Sequence, residues 1–163
     1  MIPYAILYTG VYSGITGIVS SMTRKTCENA ASLYSFKNPD VRKLLKKTDI
    51  ENKLSIIGSL IYKYCENNLF EEKVEYIDSF KVINQEKNPV RLCIESIIDI
   101  FNNINTTLSN IKEKINYHET KYFSKWTKLN ISSLLDELDT QINILDKRFD
   151  YFIKLSSCNN LYI

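Results

Sequence analysis

One rhythm constrains what this chain can fold into more than any other feature. From Val90 the large apolar residues fall at Ile94, Ile97, Phe101, Ile104, Leu108, Ile111 and Ile115, in steps that alternate four and three. A helix turns once in 3.6 residues, so such steps return every side chain to one stripe, the seam of a helix packing at a shallow angle. A second run keeps the same steps at Ile131, Leu135, Leu138, Ile142, Leu145, Phe149 and Phe152. The link between them, roughly Lys121 to Leu129, is short enough to fold the two helices back antiparallel with their stripes facing. Extending the first stripe reaches His118, expected half-buried beside Tyr122, and Trp126 is expected to plug the end of the hairpin.

The local signals agree with helices. Asn88-Pro89 and Asn38-Pro39 each join a capping side chain to a proline suited to the first helical turn. Thr48-Asp49-Ile50-Glu51 matches a capping box, Ser133 with Asp136 offers a second pair, and Ile50, Leu54, Ile57, Ile61 and Tyr64 follow the first at helical spacing. Four glycines and three prolines in 163 residues leave little material for hairpin turns. The expected fold is all-α, a four-helix-type bundle in one domain over 1–163, with a Gly-rich N-terminal helix and a C-terminal antiparallel hairpin. Its helices are expected at 4–35, 39–66 with a break near Thr48, 89–124 and 131–156. Residues 68–88 read as a crossover, because Val74, Tyr76, Phe80 and Val82 alternate like a strand while Glu71, Glu75 and Asp78 recur like a helix face. Residues 157–163 read as a tail.

The N-terminal segment is unlike the rest. No charged side chain occurs before Arg24, and the apolar stripe Tyr4, Tyr8, Val11, Ile15, Ile18, Met22 runs beside the small-residue stripe Gly10, Gly14, Gly17, Ser21. Glycine inside a helix costs about 1 kcal/mol relative to alanine, so the stripe predicts close backbone approach, either to another helix or to a partner in a membrane. Arg24 and Lys25 would anchor a membrane helix, but Thr9, Ser13, Thr16, Ser20, Ser21 and three tyrosines dilute its hydrophobicity. A buried helix of the bundle is the preferred reading. A cleaved signal peptide fits worse, since the charges follow the apolar run.

Scarce residues exclude whole classes of chemistry. His118 is the single histidine, which removes the paired-histidine zinc and di-metal motifs. Gly10, Gly14, Gly17 and Gly58 form no phosphate loop, dinucleotide fingerprint or nucleophile elbow. Cys27, Cys65, Cys93 and Cys158 are too far apart in sequence for a redox or zinc pair, so a reducing, intracellular compartment is expected. The acidic group Glu71, Glu72, Glu75 and Asp78 lacks calcium-loop spacing. No catalytic residue, metal or cofactor is expected, and the chain reads as a non-enzymatic protein. Abundant Asn, Ile, Lys and Tyr, all with codons rich in A and T, suggest an AT-rich genome, viral or protist.

Charge is nearly balanced at +2, yet Arg42, Lys43, Lys46 and Lys47 share one side of a short helix opposite Val41, Leu44 and Leu45. With Arg24 and Lys25 they are candidates for contact with phosphate or an anionic surface, and a solvated helix face gives the same pattern. Nucleic acid is the less favoured partner, because no base-reading motif accompanies the patch.

The charge-poor N-terminal helix with small-residue repeats, followed by a bundle whose last two helices flank a Lys-Trp turn, resembles the HeLo-like and mixed-lineage-kinase-like cell-death bundles. The resemblance lies in architecture across the chain, locally Ile115 to Leu155. It implies an N-terminal helix that leaves the bundle for a membrane, with Arg24, Lys25 and Arg42 to Lys47 meeting anionic lipid. From the residues themselves the leading expectation is an interaction or structural protein that binds a protein partner or a second copy of itself. It should carry surplus exposed apolar groups among Phe70, Tyr76, Phe80, Tyr151 and Leu161-Tyr162-Ile163. Cytoplasmic residence, with membrane association as the alternative, completes the reading.

Overall fold

The computed structural model describes residues 4–71, 89–121 and 129–159, with side chains described at 14–67, 89–121 and 129–158. Five helices account for almost all of them: α1 (Tyr4–Tyr34), α2 (Pro39–Thr48), α3 (Ile50–Glu71), α4 (Pro89–Glu119) and α5 (Ser132–Asn159). No strand occurs among the described residues. The expectation of an all-α bundle therefore holds, with α1, α3, α4 and α5 as the long rods and α2 as a short piece at one end.

The two long seams are where their spacing puts them. All eight residues from Val90 to Ile115 are buried, and on α5 Leu138, Ile142, Leu145 and Phe152 are buried while Leu135 and Phe149 pack against them. Thr107 of α4 donates to Glu137 of α5, and further along Cys93 donates to the Arg148 carbonyl, so the pair is antiparallel. On the other side of the core Cys27 of α1 meets the Glu51 carbonyl of α3, and Thr23 meets Gly58, so α1 and α3 are antiparallel as well. Lys53 pairs with Asp146 and Tyr64 packs edge-on against Phe152 at 5.4 Å, which makes α3 and α5 parallel neighbours. Asn29 of α1 donates to the nearly buried Asn105 of α4, placing one satisfied polar pair where these helices meet.

The end occupied by α2 is built by caps. The Asn38 side chain accepts from the Asp40 and Val41 amides at 3.0 and 3.1 Å, and Pro39 occupies the first turn, as its sequence implies. At the break, Asp49 adopts the left-handed conformation with φ 45° and ψ 42°, closing α2 and opening α3 in one residue. Its carboxylate accepts from the Asn52 side chain at 3.0 Å.

Four expectations need correction. Thr48 does not form a capping box; its hydroxyl turns back to the Leu44 carbonyl at 2.9 Å, because the left-handed Asp49 takes over the junction. Helix α5 opens on the Ile131 carbonyl, which accepts from the Leu134 and Leu135 amides, rather than on Ser133 and Asp136. Helix α3 runs on past 66 to Glu71, α4 stops at Glu119 rather than 124, and α5 runs past 156 to Asn159, into the stretch read as a tail. Finally, the buried stripe of α1 runs Ile15, Val19, Thr26, Ala30, Leu33 with Met22 beside it, while Ile18 is 50% exposed. The stretch of α1 before Arg24 has no charge to mark its solvent side and offers two apolar registers, and only packing selects between them. The calls on Asn88, Trp126, Tyr122 and the crossover beyond Glu71 lie outside the described residues.

Candidate functional site

The face of the α1–α3 pair turned away from α4 and α5 is where chemistry and shape depart furthest from an ordinary solvated surface. Between residues 14 and 23 on α1, and between 54 and 62 on α3, there is no charged side chain. Exposed on the groove side of these stretches are Gly17, Ser20 and Ser21 from α1, and Ser55, Ser59 and Tyr62 from α3, whereas the exposed Ile18 shares a stripe with Asn29, which bonds α4, and the exposed Ile56 and Leu60 share one with Lys53 and Tyr64, which meet α5. A groove of about 460 Å³ runs between the two helices, lined by Ser20, Thr23, Arg24, Cys27, Ser55, Gly58, Ser59 and Tyr62.

The helices come together at Gly58. A Cβ there would lie 2.9 Å from Thr23 Cγ2 and 3.1 Å from Thr23 Cβ, closer than packing allows, so only glycine admits this approach. The buried Thr23 hydroxyl has no hydrogen-bond partner among the described residues. The expected packing glycines behave differently. A Cβ on Gly14 or Gly17 would meet nothing within 4 Å, and Ser21 is exposed, so these three serve no close helix packing among the described residues. The reason is rotational: burying Ile15 and Val19 turns the glycine side of α1 outward. The side-chain position of Gly10 lies outside the described residues. Gly58 is the residue that the sequence reading missed, for it stands alone in α3 with no repeat to flag it.

The basic candidates are scattered rather than gathered. Arg42 is committed to structure: Nε donates to the Phe36 carbonyl at 2.9 Å and Nη2 to the Tyr34 carbonyl at 3.2 Å, where α1 ends. Lys47 pairs with Asp139 of α5 at 3.0 Å. Arg24 lies 3.8 Å from Glu28, one turn on, with both side chains largely exposed. Lys25, Lys43 and Lys46 are exposed and show no ion pair among the described residues. On α2 the side chains of Lys43 and Lys46 are thus the ones without a partner among the described residues, while Arg42 and Lys47 keep their charge but are held by the α1 carbonyls and Asp139.

Other reactive groups are muted. Burial pushes the Cys65 thiol up to about 11, and burial followed by the charges of Glu51 and Glu28 raises Cys27. Burial also raises Cys93, with Arg148 pulling the other way, and Cys158 is exposed. No three potential metal ligands cluster among the described residues. No helix of the described residues is long and apolar enough to cross a membrane.

Comparison with known proteins returns one informative likeness. No family model matches the chain, and no solved structure matches it. Over 168 aligned residues it is 36% identical to Uncharacterized protein L717 of Acanthamoeba polyphaga mimivirus, an alignment that covers 96% of this chain and 82% of that protein. Similarity of that extent, running through every helix, places the chain in the same protein family as mimivirus L717.

Proposed function

We propose that this chain is a non-enzymatic interaction protein of viral origin, and that it docks a helical protein partner on the outer α1–α3 face. The observation that carries the reading is the face itself: two adjacent helices that display Gly, Ser and the half-exposed Tyr62 over stretches without a charge. Charge depletion around apolar and aromatic anchors is the composition of the centre of a binding surface rather than of its surroundings. Small residues let a partner backbone approach closely, and a groove between two helices is the shape that receives a third. Burial and the negative charges of Glu51 and Glu28 hold the Cys27 thiol protonated, which opposes its use as a nucleophile. The mimivirus relative supports a viral source.

Membrane action by release of α1 is less favoured. That helix is tied to α3 at Gly58, to α4 through Asn29, and to α2 through Arg42 on its last carbonyls. The test is affinity capture with the full chain as bait, comparing the wild type with Ser59→Lys and Tyr62→Lys variants that unfold at the same temperature. Partners retained by the wild type and lost by both variants are the expected result. Identical capture by all three would end the reading.

A further inference from the structure

We infer that Asn29 and Lys25 form a rotational lock on α1: the bond from Asn29 to Asn105 holds the helix in one of the two rotations its apolar residues allow, and the charge of Lys25 bars the other, whatever docks on the outer face.

The ambiguity lies in the first half of the helix. Ile15 and Val19 are buried with Met22 packed beside them, yet Ile15, Ile18 and Met22 keep helical spacing equally well, and Ile18 is left 50% exposed. Turning α1 by one residue's step, about 100°, would bury Ile18 and expose Val19. The second half of the helix opposes that turn. Lys25 and Asn29 stand seven and eleven residues beyond Ile18 on the same stripe, so the turn would carry both toward the core. Lys25 is exposed in the observed rotation, and burying its ammonium without a partner would be strongly unfavourable. Asn29 supplies the attractive half. Its amide donates to Asn105 Oδ1 and, at 3.4 Å, to Ser109 Oγ, both on α4. The turn would break these bonds and take a partner from Asn105, which is only 8% exposed.

The other buried polar side chains carry no such information about α1. The hydroxyls of Thr26 and Thr48 return to carbonyls of their own helices. Thr107 and Gln141 both donate to Glu137, inside the hairpin whose stripes are fixed by their own period. Asn105 differs, because Asn29 lies 76 positions away in sequence, on the helix whose apolar residues leave its rotation open. A buried polar pair in that setting costs stability and specifies alignment, the role best attested for such pairs between packed helices.

Thiol labelling of full-length Ile18→Cys and Val19→Cys chains, located by peptide mass, reads the rotation directly. In the otherwise native sequence, position 18 should react and position 19 should be protected. Lys25→Leu combined with Asn29→Leu completes the stripe through Ile15, Ile18 and Met22, and should reverse that order, with position 19 labelled at least about tenfold faster than before. The native thiols of Cys65 and Cys93, both buried, are the internal control: their continued protection shows that the bundle is folded. Asn105→Leu leaves α1 unaltered and should speed labelling at position 19 by a smaller factor, since Lys25 still opposes the turn. Should the double variant expose Cys65 and Cys93 as well, Asn105→Leu decides alone. Position 18 open and position 19 protected in a folded double variant overturns the lock, and so does an Asn105→Leu chain that labels like the wild type.

Discussion

The α4–α5 hairpin and the α1–α3 pair are both antiparallel helix pairs, and they solve the same packing problem in opposite ways. In the hairpin a single apolar stripe on each helix meets the core, and the far side mixes charged side chains with the exposed Leu92, Tyr117, Ile144, Tyr151 and Ile153. The hairpin is joined by large side chains such as Phe101 and Phe152, which are almost fully buried. In the α1–α3 pair the approach is through backbone, at Gly58 against Thr23, and the stretches 14–23 and 54–62 that meet there carry no charge. The contrast teaches that apolar periodicity reports a buried seam only where the opposite face is polar. Where a helix lacks charge all round, burial has to be decided by its neighbours.

The comparison can be broken at its strongest point first. Phe101→Ala empties the centre of the hairpin seam and should cost about 3 to 5 kcal/mol of stability in urea unfolding. A loss below 1 kcal/mol would mean that the hairpin does not depend on large side chains. Gly58→Ala asks the same of the other pair: Thr23, stiff at its branched Cβ, must shift, and a loss of about 1 to 3 kcal/mol is expected despite alanine's better helix propensity. Unchanged stability there would show that the close approach is unnecessary.

The two cysteines distinguish the pairs by titration. Cys65 on α3 has its ionisation raised to about 11 from 9.0 by burial, whereas Arg148 works against the burial of Cys93 on α4. The unfolded chain loses the Cys65 proton near pH 9 and the folded chain keeps it to about 11, so stability should fall as pH rises across that window. Cys65→Ala should flatten the slope between those values, and an unaltered slope would refute the assignment. Gly17→Ala is expected to change sign relative to Gly58→Ala, raising stability by about 1 kcal/mol through helix propensity alone. Destabilisation would show that Gly17 is already packed. Least of all should come Lys47→Met, because an exposed pair with Asp139 contributes no more than about 1 kcal/mol. A larger loss would give the ion pairs between α2, α3 and α5 a weight that exposure argues against.

Much of the candidate surface was legible before folding, though not its orientation. The uncharged run before Arg24 and the stripe of Gly14, Gly17 and Ser21 mark α1 as unusual in any reading of the chain. That Tyr151 is exposed matches the expected surplus of apolar surface, while Phe70, Tyr76, Phe80 and the final Leu161-Tyr162-Ile163 lie outside the described side chains. Gly58 could not be singled out, since one glycine in a helix carries no period and its meaning comes wholly from Thr23, thirty-five positions away in sequence. Arg42 and Lys47 looked like members of a patch because neighbours in sequence say nothing of the α1 carbonyls or of Asp139.

Local spacing determined that the chain is helical, where α2 starts, and which stripes of α3, α4 and α5 are buried, because each of those is settled within a few turns of one helix. Tertiary packing decided the rotation of α1, the close contact at Gly58 and the fate of the basic side chains. These depend on groups brought together from distant parts of the chain, and the free energy that selects them exists only once the rods have met.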